Sequence, residues 1–449
     1  MSNPQNNKQA VDFLINARWI IPIVPAGRIF EDCALVVNQD TIVALVPQAE
    51  AAKRYEANDS VDLPNHVLIP GLINAHGHAA MSLFRGFADD TPLQQWLENH
   101  IWPAEAQWVD ATFVKDGAEL AMAEMIRTGT TCFSDMYFFP EQTAHAAQQA
   151  GMRAQLTFPI FNFPSAWGQG PEDYFAKGLA LQDDFRSSDL VRVGFGPHAP
   201  YTVADDVLKR IAVLAEEMQA PIQIHLHETA LEVEEAVKTT GKRPIERLHE
   251  LGLLSPLTQC VHMTQLIDDD ITLLKRTGAH VVHCPESNLK LASGFCPVGK
   301  LQDAGVNVAL GTDGAASNND LDLLGELRTA ALLAKGVSGN ASTLDAHSAL
   351  RMVTLDGARA MGLESRIGSL EVGKAADITA VALDEVTAQP VYNPASQLVY
   401  SNSSHRVSHV WVNGKCLLQD GQLQTLNPHE LVSKAQRWGA KISGPKDQA

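Results

Sequence analysis

Eight short apolar runs, each closed by a polar, glycine or proline cluster and separated by helix-like stretches, occupy the middle of this 449-residue chain. They read HVLIPGLINAH, TTCFSDMY, MRAQLTFPIF, VRVGFGPHAP, PIQIHLHE, TQCVHM, AHVVHCP and VNVALGTDG. Runs of this kind, bounded by turn formers, predict buried strands. The intervals carry helical signals. Ala118, Ala121, Met122, Met125 and Ile126 share one helical face with Gly129 at a C-cap position, and Thr202 and Asp205 are spaced as a capping box before VLKRIAVLAEEM. Eight strand-helix units over roughly 300 residues predict an α/β fold, a (β/α)8 barrel.

The two ends of the chain read as strands and turns: FLINARWIIPIV and ALVVNQDTIVALV at the start, ADITAVAL and VSHVWVNGKCLL at the finish. Asn413-Gly414 in the last run is a type I′ hairpin signal. Neither end holds enough apolar residues for a core of its own, so one small composite β-sandwich built from both termini is expected beside the barrel. The expected division is residues 1–66 and 368–449 for the sandwich and 67–367 for the barrel.

Composition narrows the function. Thirty-four basic against 52 acidic residues leave a net charge of -18, which argues against nucleic-acid or anionic-membrane partners. The six cysteines form no CxxC pair, so neither a zinc ribbon nor a disulfide framework is indicated. The opening MSNPQNNKQAVDF has no basic segment leading into an apolar one, and no stretch approaches a membrane span of about 20 apolar residues. A cytoplasmic protein is expected.

In a barrel of this type the C-terminal ends of the strands carry the active site. Here they end in His76 and His78, then Asp135, His198, His225 with His227, His262, His283 and Asp313. His76 and His78, at i and i+2 on an extended segment, point to one side and can reach one ion. These two, one histidine of the fifth strand and Asp313 suit a catalytic zinc site that keeps a position open. Glu228 and His262 are then the groups placed to move protons. His283 reads as structural or as a support to the ligands.

The HxH near Gly71, HLHET on the fifth strand, the sixth-strand histidine, GTDGAASNNDLD and the terminal GSLEVGKAADITAV resemble the amidohydrolase superfamily. The resemblance implies His76, His78, His225 and Asp313 as ligands, with His225 chosen over His227 because the family pattern is H-x-x-E and only His225 stands three residues before Glu228. The fourth strand lacks the lysine that bridges two metals in relatives, which implies one ion per subunit, zinc first, with iron or manganese also suited to the donors. By the same resemblance His262 orients the attacking water, Glu228 carries a proton to a ring nitrogen and Asp313 accepts one from water.

Within the superfamily, PGLINAHGHAAMSLFRGFADDTPLQQWLENHIWPAE, GFGPHAPY and SNLKL look most like the 5'-methylthioadenosine/S-adenosylhomocysteine deaminases. That resemblance implies that Glu105 holds the ribose hydroxyls, His198 contacts the nucleoside and Trp96 lines the pocket. It also favours a homo-oligomer, a dimer or larger. Relatives that take S-adenosylhomocysteine use arginines in and after the third strand, where this chain has LTFPIFNFPSAWGQG and none. Phe158, Phe161, Phe163 and Trp167 are expected to present apolar surface instead, which favours 5'-methylthioadenosine, converted to 5'-methylthioinosine and ammonia. Guanine deamination or triazine hydrolysis are the alternatives, and neither needs a ribose-binding glutamate.

Overall fold

The computed structural model describes residues 8–444; residues 1–7 and 445–449, which the sequence reading includes in the terminal unit, lie outside it. All eight predicted barrel strands form, as Leu72–Asn74, Thr130–Asp135, Arg153–Ile160, Val191–Pro197, Ile222–Leu226, Thr258–His262, His280–His283 and Val308–Leu310. They lie parallel in sequence order. The ring closes between first and last: the Ala75 N–H donates to Leu310 O at 2.9 Å and the Asp313 N–H to His76 O at 3.1 Å. Helices such as Ala111–Arg127, Pro140–Ala150, Pro171–Asp184 and Leu323–Ser338 alternate with the strands. Asp110 caps the first of these by accepting the Phe113 N–H, and Gly129 follows its end at φ 95°.

Two local expectations need correcting. The run 66–76 is not one barrel strand: Tyr55–Pro70 belongs to the terminal sheet, and only Leu72–Asn74 enters the barrel. The chain changes sheet at Gly71, where a Cβ would run into the Thr131 side chain. Thr202 does not cap the helix Asp205–Met218, which starts after Ala204 without a side-chain cap. Its hydroxyl instead accepts the Ala199 N–H at 3.1 Å and lies 3.2 Å from His198 Nδ1. It supports the functional face rather than a helix end.

Both termini build one mixed eight-stranded sheet. Its centre is Tyr55–Pro70, parallel to Gln9–Ile20 on one side and antiparallel to Ile378–Ala382 on the other. The hairpin Val407–Val412 to Lys415–Gln419 turns through Asn413 and Gly414 at φ 50° and 73°, as a type I′ turn requires. Alternation divides the apolar side chains between faces. Leu35 and Val37 join one cluster with Ile15 and Trp411, whereas Ala34 and Val36 join another with Val11 and Tyr55. In Tyr55–Pro70, Leu68 packs inside the sheet's own cluster and Val67 and Ile69 pack into the barrel's.

A buried ion pair ties the two units. Arg153, 3% exposed, opens the third barrel strand and meets Asp377 through Nε at 2.7 Å and Nη2 at 3.1 Å. Its Nη1 donates to Asp189 O at 2.7 Å, and Asp377 also accepts the Asn413 N–H at 2.9 Å. Removing one partner strands the other charge in the interior. Asp377→Ala is expected to destabilise the protein by about 3–5 kcal/mol, read as a lower denaturant midpoint; a midpoint equal to wild type would mean that Arg153 does not need this partner.

Candidate metal centre and active site

The first and eighth strands approach so closely that only glycine fits at 311, where a Cβ would stand 2.7 Å from the His76 nitrogen. That seam brings Asp313, at φ 60°, against His76 and His78, whose ring centroids are 4.8 Å apart. On the fifth strand, Gln223 and His225 point inward two residues apart. One ligand atom each from His76, His78, His225 and Asp313 lie within 4.8 Å of one another.

The donors are oriented for an ion. His76 Nδ1 donates to Gln223 Oε1 at 2.8 Å, His78 Nδ1 to Met136 O at 2.7 Å and His225 Nδ1 to His198 O at 2.8 Å. Carbonyl oxygens only accept, so each Nδ1 carries the hydrogen and each Nε2 turns a lone pair inward. His76 and His225 Nε2 are 3.3 Å apart, and Asp313 Oδ1 lies 3.4 Å from His76 Nε2 and 3.2 Å from His78 Nε2. Edges of about 3.3 Å belong to a tetrahedron with bonds of about 2.0 Å, the zinc–nitrogen length. The residues present therefore fit a single divalent ion with three nitrogen ligands and one oxygen ligand.

Burial pushes the pKa of His76 down and that of His225 well below its ordinary value, which keeps both neutral, as ligands must be. For His78 burial is outweighed by its hydrogen bond to Asp313 and that carboxylate's charge, which lift it to about 9. A proton and a metal ion compete there for one lone pair. Asp313 itself is held well below the usual carboxylate range, burial being outweighed by its close contacts with the two imidazoles and by the charge His78 carries when it is protonated. Its Oδ2 accepts the hydroxyls of Ser287 at 2.7 Å and Ser317 at 2.8 Å, leaving Oδ1 to face the imidazoles.

Glu228 and His262 stand beside this cluster, with Glu228 Oε2 3.8 Å from His262 Nε2. Burial, and then the charge of Asp313, push the Glu228 carboxyl up to about 8. Its turn is pinned by Glu232, which accepts the backbone N–H groups of His227 at 2.9 Å and Glu228 at 2.7 Å. His262 Nδ1 donates to Asn288 Oδ1 at 2.9 Å, so Nε2 faces the cavity as an acceptor. His227 turns away: at φ 52° it leaves the strand's alternation, accepting the Ile245 N–H on Nε2 at 3.1 Å and donating from Nδ1 to Gln265 O. Asp135 braces the turn after His78 by accepting the Ala79 N–H at 2.7 Å, and His283 is buried outside the cavity wall.

The cluster opens into a cavity of about 460 Å³, lined by His78, Trp96, Glu105, Tyr137, Phe161, Phe163, His198, His225, Glu228, His262 and Asp313 among others. Of the expected ligand, proton-transfer and nucleoside-binding residues, all but His76 line this cavity; His76 is fully buried behind it. Trp96 donates its indole N–H to Ala88 O at 2.9 Å, which orients the ring on the wall. His198 packs 5.0 Å from Phe161 between ring centroids, and burial takes its pKa to about 3, so it is neutral. The expected apolar wall is only half right. Phe161 and Phe163 line the cavity, but Phe158 is packed against Phe195, and Trp167 stacks on Tyr174 and donates to Glu141. No arginine lines the cavity among the described residues.

Sequence reasoning missed the supports. Gln223 was findable, since it shares the inward face with His225; Ser287, Ser317, Asn288 and Tyr137 sit just past strands or on the next turn, where no periodicity marks them.

A mononuclear metal site at the C-terminal mouth of a closed (β/α)8 barrel defines a class of hydrolase. The amidohydrolase family profile matches residues 67–417. The 5-methylthioadenosine/S-adenosylhomocysteine deaminase of Saccharophagus degradans is 57% identical over 440 residues, spanning 98% of this chain and 99% of that protein. An adenosine deaminase from Xanthomonas campestris, in a crystal structure with bound zinc, superimposes with a TM-score of 0.96 at 47% identity, covering 97% of this chain and 99% of that one. An atrazine chlorohydrolase from Arthrobacter aurescens shares the fold, with a TM-score of 0.89 at 24% identity over 95% of this chain and 100% of that one. The chain belongs to the amidohydrolase family and, within it, to the 5-methylthioadenosine/S-adenosylhomocysteine deaminase family.

Asp313→Ala is expected to lower metal affinity by at least about tenfold, measured by competition with a chelator. Wild-type metal retention in that variant would remove Asp313 from the ligand set.

Proposed function

We propose that the protein is a zinc-dependent deaminase that converts 5'-methylthioadenosine to 5'-methylthioinosine and ammonia. The observation that carries this reading is that one cavity is lined by metal ligands, Glu228 and His262 and also by a carboxylate, Glu105, and the apolar Phe161 and Phe163. A purine needs the first set, a ribose diol the carboxylate, and a methylthio group the phenylalanines. A triazine or a free base would leave Glu105 without a task.

His76, His78, His225 and Asp313 would hold the ion, which supplies a Lewis acid that lowers the pKa of water toward about 7. His262 orients the attacking water through its Nε2 acceptor. Asp313 Oδ1 takes a proton from that water as its oxygen adds to C6 of the purine. Glu228, whose burial favours the protonated form, gives its proton to the adjacent ring nitrogen. The proton held by Asp313 passes to the amino group, which leaves as ammonia, and the hydroxyl proton on the tetrahedral carbon returns to Glu228 as the C6 carbonyl forms. Glu105 accepts hydrogen bonds from the ribose hydroxyls, which a carboxylate can do at both oxygens.

No helix among the described residues is long and apolar enough to cross a membrane. The reading extends to a cytoplasmic homo-oligomer, a dimer or larger, acting on a small nucleoside. The carboxylate of S-adenosylhomocysteine would meet Phe161 and Phe163 without a cationic partner, a cost of several kcal/mol if it is buried.

Two measurements test this. Ammonia release and the purine absorbance change are followed with 5'-methylthioadenosine, S-adenosylhomocysteine, adenosine and guanine, and kcat/KM for the first is expected to exceed that for the second by about tenfold or more. Equal or better turnover of S-adenosylhomocysteine overturns the preference, and no turnover of any nucleoside overturns the deaminase reading. Glu228→Gln is expected to reduce kcat by about 10²–10⁴ with metal content unchanged; activity within a few-fold of wild type would rule out Glu228 as the proton carrier.

A further inference from the structure

Glu105 lies in the helix Trp102–Trp108, on the segment that covers the cavity, and its carboxylate has one hydrogen-bond partner among the described residues. That partner is the Tyr137 hydroxyl, which donates to Glu105 Oε1 at 2.7 Å. Tyr137 is 4% exposed and follows the second barrel strand by two residues. Its neighbour Met136 is fixed on both sides, its N–H donating to Gly77 O at 3.0 Å and its carbonyl accepting His78 Nδ1 at 2.7 Å. Adjacent residues thus hold a metal ligand and the carboxylate assigned to the ribose. The tyrosine ring also packs against His78, with centroids 6.2 Å apart.

We propose that Tyr137 is a positioning residue for substrate selection: its hydroxyl holds Glu105 at a fixed distance from the metal cluster, so that ribose-bearing purines bind in register and those lacking the ribose diol do not. The proposal rests on the reading of Glu105 as the ribose acceptor. The chemistry favours the arrangement, because a carboxylate offers about four lone-pair sites and the tyrosine uses one, leaving the rest for the two ribose hydroxyls. Without the tyrosine, a carboxylate on a short helix swings among rotamers and must be ordered by each incoming substrate. Burial pushes Glu105 up to about 7, with the Tyr137 hydrogen bond and His78 pulling it down, so the same contact favours the charged acceptor form.

The test uses Tyr137→Phe, which removes one oxygen and keeps the ring, in the zinc-loaded full chain. Expected are a KM for 5'-methylthioadenosine raised about tenfold, a kcat within about twofold and unchanged zinc content. The preference for adenosine over 2',3'-dideoxyadenosine, as a ratio of kcat/KM values, should fall by about tenfold. Because both substrates are measured on one preparation, that ratio is independent of the fraction of enzyme correctly folded. A KM and a ratio within about twofold of wild type, or a loss confined to kcat, overturns the proposal. Glu105→Ala is run alongside. If it abolishes the preference while Tyr137→Phe keeps it, only the role of Tyr137 fails; if Glu105→Ala keeps the preference, the ribose reading fails and takes this proposal with it.

Discussion

The contact between the first and eighth barrel strands governs the rest of the structure. The same few residues close the barrel and assemble the ligand cluster: the Asp313 N–H binds His76 O, and the Asp313 carboxylate faces the Nε2 atoms of His76 and His78. Gly311 makes that approach possible. Ligand separation is therefore set by backbone pairing in the barrel and not by flexible side chains, the rigid mounting that a metal site needs.

Around that seam the protein keeps buried polar groups oriented one by one. Each ligand imidazole has its outer nitrogen occupied by a carbonyl oxygen, Asp313 has two serines on its outer oxygen, and Glu228 sits on a turn braced by Glu232. His227, His262, Met263 and Asp313 all take left-handed backbone conformations at strand ends. Such conformations cost non-glycine residues of order 1–3 kcal/mol each and persist where surrounding contacts over-determine them. Here they turn side chains that alternation alone would misdirect.

This explains what the sequence could show. Strand count and rim residues were legible because short continuous apolar runs with polar ends are a direct consequence of barrel strands buried on both faces, and the ligand residues lie on or just past those ends. The choice of His225 came from a family pattern; the physical reason, a reversed backbone at His227, is invisible to spacing. The sheet change at Gly71 was missed because 66–76 is apolar on both sides of the glycine, and only the Thr131 contact distinguishes them. Thr202 fitted a capping box by spacing, yet its hydroxyl found a nearer use beside His198. Phe158 and Trp167 look like Phe161 and Phe163 in a string of letters, and only packing separates core from cavity wall.

The terminal sheet has a consequence for how the chain is made. Its central strand, Tyr55–Pro70, pairs on one side with Gln9–Ile20, already synthesised, and on the other with Ile378–Ala382. At about 5–20 residues per second, the roughly 300 residues between the two take on the order of 15–60 seconds to emerge from a ribosome. Until then that edge presents unpaired N–H and C=O groups, which makes it a place for a chaperone to cover or for a second nascent chain to pair.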